Sequence, residues 1–208
     1  MPNTTFRIFA RAPLLAAALF CGLSTLVSAA EESKTLYETQ YQGLAMGTLI
    51  TARLISPDAK AAQKLEELVS ERVDDYETLF TVHREGPLYE VNKRSGEWVE
   101  VDCRITELTE KAKAIAEASD RAFEPTIGTL VNVWKIGFGG DQVPARSDID
   151  AALKKVDYTK IETQREDNVC RMRIGKGQSI DLGAIAKGWI GTALTQDLEA
   201  AGATNVIL

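Results

Sequence analysis

The stretch Ser179-Ile180-Asp181-Leu182-Gly183-Ala184-Ile185-Ala186-Lys187-Gly188 constrains this chain more than any other. A short apolar entry meets an Asp, then a Gly, then a run of small residues that starts a helix. A carboxylate and an amine therefore stand six positions apart across a strand-to-helix corner. Backbone N–H groups at a helix start point outward and attract phosphate. The expectation is a corner that holds a phosphate-bearing ligand. A plainer reading stays open on spacing alone: Asp181 caps the helix and Lys187 lies along the surface. Gly183, Ala184, Ala186, Gly188 and Gly191 let either a ligand or another helix approach the backbone closely.

Residues 1–30 read as a secretory signal peptide. Arg7 and Arg11 make a positive start, Pro13 to Leu26 is almost wholly apolar, and Val27-Ser28-Ala29-Ala30 offers small-residue cleavage points. The apolar core is shorter than the roughly 20 residues of a spanning helix, which favours a leader over an uncleaved anchor. Phe20 precedes Cys21 where a lipid-attachment box takes a small residue, so a lipid anchor is not expected. The expected location is the periplasm. Cleavage after Ala30 leaves 178 of the 208 residues, enough for one domain with its own core over 31–208. Loss of Arg7 and Arg11 moves the net charge from −6 to −8, which disfavours nucleic acid and anionic membranes as partners. One His, His83, and no C-x-x-C leave no zinc pattern. Cys103 and Cys170 either pair in an oxidising compartment or are two buried small apolar residues.

Leu36 to Ile55 reads as one extended run, bent or bulged at Gly43 and Gly47. Pro57 opens the next element. Ala59 to Phe80 is helical: Leu65, Leu68, Val69, Val73, Tyr76 and Phe80 recur at steps of three and four. Thr81 to Gly96 reads as a connection with a Gly86-Pro87 turn, and Trp98 to Val101 as a short strand. A second amphipathic helix is expected over Thr106–Ser119, a loop over Phe123–Gly128, and a turn or two of helix over Thr129–Trp134. Gly137 to Pro144 reads as a flexible loop. Ser147, with Asp150 three residues on, predicts a capped helix to Val156. Strands are expected at Lys160–Gln164 and Asn168–Ile174. Ala186, Ile190, Leu194 and Leu198 mark one buried stripe of a last helix, with Gly202 its C-cap. Asn205 to Leu208 begins a strand, which reads as a truncated chain or a sheet edge completed by something else. Gln142 breaks the dinucleotide pattern after Gly137-Phe138-Gly139, and there is no P-loop and no G-x-S-x-G.

Three segments then appear in order: Met46-Gly47-Thr48, Ala122-Phe123-Glu124-Pro125-Thr126-Ile127-Gly128-Thr129-Leu130-Val131-Asn132-Val133-Trp134, and Ile180-Asp181-Leu182-Gly183-Ala184-Ile185-Ala186-Lys187-Gly188. Together they resemble the ApbE family of FAD:protein FMN transferases, from about Tyr41 to the last residue. The resemblance implies an α+β fold, a mixed sheet packed with helices, of which this chain is the amino-terminal part. It implies binding of FAD with a divalent metal, usually Mg²⁺. It also implies cleavage of the FAD pyrophosphate, transfer of FMN to a Thr or Ser hydroxyl of a target protein, and release of AMP. The implied targets are exported subunits of membrane redox complexes, so any inner-membrane association comes through them. By position, Met46 matches a flavin contact, Ala122, Phe123 and Glu124 a cofactor-binding loop, and Asp181 and Lys187 FAD-contacting positions. Ala184 matches a backbone carbonyl on the metal. No residue of this chain is matched to a catalytic role.

Glu124 stands where the family often has Asp, and Thr129 where Pro is common. The Leu79–Asn92 segment resembles one ending in Asn, with Val82 and Gly86 where an aromatic and a Ser are usual. The family's carboxyl half, with a Gly-rich segment and a later Asp and Thr on the metal, is expected beyond Leu208. Ala184 alone does not satisfy Mg²⁺, which takes about six oxygens. The alternative reading is an exported flavin-binding module, or an inactive remnant, without transferase activity.

Overall fold

The computed structural model describes residues 7–8, 35–136 and 139–208. The leader expectation therefore lies outside the described residues, apart from the backbone of Arg7–Ile8 (β1), which pairs antiparallel with Tyr37 and Glu38. The chain divides into two units, residues 1–71 with 194–208, and residues 72–193.

In the first unit, Tyr37–Ala45 (β2) and Thr48–Ser56 (β3) form an antiparallel hairpin, from Tyr37 opposite Ser56 to Ala45 opposite Thr48. Only Met46 and Gly47 make the turn, both left-handed at φ 51° and 70°. This two-residue geometry matches the twist of the flanking strands. The run expected to be extended with bends is thus a folded hairpin. Gly43 stays in the ladder opposite Ile50, and Gly47 is the turn. The usual Asn-Gly signal was absent, and Met in a left-handed position costs about 1–2 kcal/mol, so local sequence did not announce it. Asn205–Ile207 (β7) pairs antiparallel with β3, Val206 opposite Leu54, giving the order β1-β2-β3-β7. Alternation along β3 buries Ala52, Leu54 and Ser56. Ala62, Leu65, Val69, Leu194 and Leu198 complete this core.

The helix Ala59–Phe80 (α1) has the expected bounds. Asp58 starts it by accepting from the Ala61 N–H at 2.8 Å, as an N-cap carboxylate does. The last helix, Gly183–Ala200 (α6), buries Ala186, Ile190, Leu194 and Leu198 as its period predicts. It closes at Gly202 with paired bonds from Gly202 N to Glu199 O and Ala203 N to Leu198 O.

In the second unit, Val99–Val101 (β4), Glu162–Glu166 (β5) and Val169–Arg173 (β6) form an antiparallel sheet of order β4-β6-β5. The helix Cys103–Ala118 (α3) begins three residues before the expected Thr106, because Asp102 accepts from the Arg104 N–H at 2.8 Å. The Thr81–Gly96 connection contains a helix, Pro87–Lys93 (α2), with Pro at its first turn and Leu88 and Val91 buried. Seven residues with two apolar positions are too few to show a period. Gly128–Trp134 (α4) falls where one or two turns were expected. Arg146–Leu153 (α5) is not capped by Ser147: Ala145 holds the cap position without a side-chain bond, and Ser147 lies inside the first turn. Tyr158–Lys160 forms a single 3₁₀ turn. Both sheets are antiparallel, with one isolated parallel bridge between Ile127 and Ser179, and the class is α+β. Among the described residues no helix is long and apolar enough to cross a membrane.

Cys103 and Cys170 form a disulfide, with Cα atoms 5.1 Å apart and the two residues 67 positions apart in sequence. Of the two open readings, pairing is the one realised. A loop of this length loses much chain entropy when cross-linked, on the order of 4 kcal/mol. Denaturation with and without dithiothreitol should therefore show reduced protein less stable by roughly that amount. Equal midpoints would mean that the bridge constrains nothing.

Candidate functional site

The corner at Ile180–Gly183 is built from the backbone outward. Ile180 N donates to Asn92 Oδ1 at 2.7 Å, and Asn92 Nδ2 donates to Ile180 O at 2.9 Å. One side-chain amide thus satisfies both polar groups of a buried residue, as a neighbouring strand would. Asp181 N donates to Pro125 O at 2.8 Å, and Ser179 N to Thr129 Oγ1 at 2.9 Å. A Cβ on Gly128 would lie 2.8 Å from Ser179 O, so only glycine allows the two segments to approach this closely. The second sequence motif and the strand-to-helix corner are stitched together here, Thr129 to Ser179 across 50 positions.

At the helix start Asp181 does what a capping carboxylate does: its Oδ1 accepts from Gly183 N at 2.8 Å. Ile185 N and Ala186 N both bond to Leu182 O. Of the first-turn amides, only that of Ala184 donates to nothing among the described residues. The sequence expectation of a row of outward N–H groups is therefore narrowed to one. Lys187 is exposed, and its Nζ reaches back to Gly183 O at 3.4 Å.

Glu124 is buried and fully engaged. Its Oε1 accepts from Thr126 N at 3.0 Å and Thr126 Oγ1 at 2.7 Å. Its Oε2 accepts from Tyr158 N and from Arg121, each at 3.3 Å. Thr126 Oγ1 in turn accepts from Asp157 N at 2.8 Å. Gln178, also buried, donates through Nε2 to Lys155 O and Asp157 O and accepts from Gly175 N. The loop bearing Ala122–Glu124 is thereby tied to Lys155–Tyr158. The Thr159 hydroxyl bonded to Asp157 holds its carboxyl below the ordinary aspartate range, against the opposing effect of burial. The Thr159 N–H, Lys160 and Arg121 add smaller contributions in the same direction.

Ala122, Phe123, Glu124, Asp181 and Ala184 line one cleft of about 510 Å³, with Arg121 and the apolar Ile127, Leu130, Leu153 and Val156. That size lies within the roughly 300–1,000 Å³ of small-molecule sites. A second cleft of about 270 Å³, lined by Asn92, Gly128 and Ile180 among others, shares Asp181 with it. Five of the seven sequence-predicted residues are therefore brought together. Lys187 does not line either cleft. Met46 belongs to the first unit, at the hairpin turn. The residues that sequence reasoning did not single out are Asn92, Thr126, Gln178 and Arg121. Asn92 was visible only as the end of a family-like segment.

The model of the ApbE family matches residues 46–208. The chain belongs to the ApbE family. It is 35% identical over 153 residues to the FAD:protein FMN transferase of Klebsiella pneumoniae (strain 342), a match covering 72% of this chain and 46% of that relative. To the FAD:protein FMN transferase of Treponema pallidum (strain Nichols) it is 32% identical over 165 residues, covering 76% and 45%. The crystal structure of the ApbE protein from Thermotoga maritima aligns with TM-score 0.67 at 30% identity, covering 79% of this chain and 53% of that one. The apo flavinyl transferase ApbE of Pseudomonas stutzeri, at 22% identity and TM-score 0.70, shares the fold. The chain spans about half the length of the curated relatives it matches.

The ApbE corner by itself offers too few protein oxygens to enclose Mg²⁺, which commonly takes several of its ligands from water and substrate phosphate. Glu124 has spent its oxygens on the loop, and Asp181 Oδ1 is on Gly183. That leaves Asp181 Oδ2 and the Ala184 carbonyl against about six oxygens needed. Among the described residues no three His, Cys, Asp or Glu are grouped to hold a metal.

Two predictions come from this geometry. Asn92→Ala leaves the Ile180 amide and carbonyl without partners and should cost about 1–3 kcal/mol in urea unfolding; an unchanged midpoint would mean that packing alone holds Ile180. The lowered pKa of Asp157 makes its contribution fully present above the unfolded aspartate value, about 3.9, and lost as pH falls through the lower folded value. The stability gap between parent and Asp157→Ala should stay constant from about pH 8 to about pH 5 and narrow below about pH 4. A gap that narrows instead as pH rises would contradict the assignment.

Proposed function

We propose that this chain is the FAD-holding part of an exported FAD:protein FMN transferase. In this reading a Thr or Ser hydroxyl oxygen of an exported target bonds to the phosphorus of the FMN half, that phosphorus's bond to the bridging oxygen breaks, AMP leaves with that oxygen, and the hydroxyl proton passes to water. The family resemblance implies a divalent metal, usually Mg²⁺, which would neutralise charge on the leaving phosphate. Asp181 and Ala184 would be its neighbours here, and the protein donors present do not complete its shell.

The reading is supported above all by one observation: Ala122–Glu124, Asp181 and Ala184, distant in sequence, line one cleft within the family-matched span. Asp181 offers an acceptor, which repels phosphate and suits the hydroxyl or amine donors of FAD. The Ala184 N–H, at the positive end of α6, suits a phosphate oxygen. Lys187, one turn along the exposed side of α6, adds a nearby positive charge. Glu124 acts by holding the loop in place. Met46 is assigned to the flavin by position in the family alone. The alternative, a flavin-binding module that transfers nothing, draws on the incomplete metal donor set.

Titration of FAD into the chain, followed by flavin fluorescence, tests the first part. Binding is expected, with Asp181→Ala weaker by roughly tenfold, about 1.4 kcal/mol. No binding by the parent would overturn the reading. Incubation with FAD, Mg²⁺ and a target domain, followed by a denaturing gel, tests the second. A form of full family length should give a covalently fluorescent target band and this chain alone should give none. A band from this chain alone would mean that the donors here suffice.

A further inference from the structure

We propose that Arg121 is a further ligand-binding residue of the cleft, taking the phosphate groups of the bound nucleotide; this rests on the FAD reading above. Of the residues lining the 510 Å³ cleft, Arg121 alone is basic, while Glu124 and Asp181 are acidic. Two carboxylates repel a pyrophosphate, so a ligand of that class needs a cation on the same wall.

The guanidinium is already positioned. Its Nη2 donates to Val156 O at 3.0 Å and to Glu124 Oε2 at 3.3 Å and lies 3.7 Å from Asp157 Oδ1, and the Tyr158 ring lies 5.7 Å from its central carbon. Arg carries five N–H donors. The contacts above use only Nη2, so among the described residues the N–H groups of Nη1 and Nε meet no acceptor. Half of the side chain is solvent-exposed. A fork fixed at one nitrogen and open at the others is suited to a phosphate's paired oxygens.

The backbone gives an independent reason. Arg121 has φ +65° and follows Asp120 at +51°. Glycine takes that conformation without strain and other residues do not. An arginine is therefore held where the chain path favours glycine, so its side chain contributes something that the loop's conformation does not require.

Arg121→Gly, Arg121→Lys and the parent chain are titrated with FAD, ADP and riboflavin, and their melting temperatures are measured. Arg121→Gly relieves the left-handed strain and gives up the bonds to Val156 O and Glu124 Oε2, effects of similar size, so it should melt close to the parent. It should bind riboflavin as the parent does, and lose roughly tenfold or more for FAD and ADP. Arg121→Lys, with charge but no fork, should recover part of the loss. If Arg121→Gly keeps parental affinity for FAD and ADP, the inference fails while the flavin reading stands. If it melts lower and weakens riboflavin equally, Arg121 only holds the loop, and the inference fails again. If the parent binds neither FAD nor riboflavin, it is the flavin reading that falls.

Discussion

Asn92 supplies what the ApbE corner lacks, a hydrogen-bonding neighbour for Ile180. Ile180 is buried, and its backbone has no strand on that side. Both polar groups are met by one side-chain amide 88 residues away in sequence. A net hydrogen bond contributes only about 1 kcal/mol, but leaving a buried group unmet costs about 1–3 kcal/mol. The pair therefore acts chiefly by excluding other positions for Ile180. The direction in which Asp181 points, the start of α6 and the approach of Gly128 to Ser179 all depend on that position.

The two carboxylates of the cleft have different work. Glu124 is consumed by the loop that carries it, through contacts to Thr126, Tyr158 and Arg121. Asp181 spends one oxygen on Gly183 and lines both clefts. A motif that reads as a set of equivalent binding positions thus separates into a carboxylate that anchors its own loop and one that caps a helix at the cleft's edge. The Glu124 carboxylate spans from Thr126 to Tyr158.

Long amphipathic elements were legible in the sequence because burial repeats along them. The stripe of α1 and the Ala186–Ile190–Leu194–Leu198 stripe of α6 are buried as their spacing required. The Gly202 cap and the short strand at Val99–Val101 were equally readable. Elements set by pairing across distance were not. The hairpin turn at Met46-Gly47 lacked the usual turn residues. Helix α2 was too short to show a period, and α5 starts without a side-chain cap. The site was legible as three segments, but the bonds that join them, from Asn92, Thr126, Thr129 and Gln178, connect residues 21 to 88 positions apart or act within a loop. No local pattern encodes such pairings. Arg121 was hidden for a different reason: its signal is a backbone angle.

The Cys103–Cys170 bridge turns everything between those residues into a covalent ring. The ring carries the Ala122–Glu124 loop, α4, α5 and the Asp157 turn, and it includes the exposed Val143. A single backbone cut at that exposed position opens the ring without releasing a piece. The nicked chain stays one molecule until a reductant separates it, so the wall of the cleft stays tethered even when its outermost loop is severed.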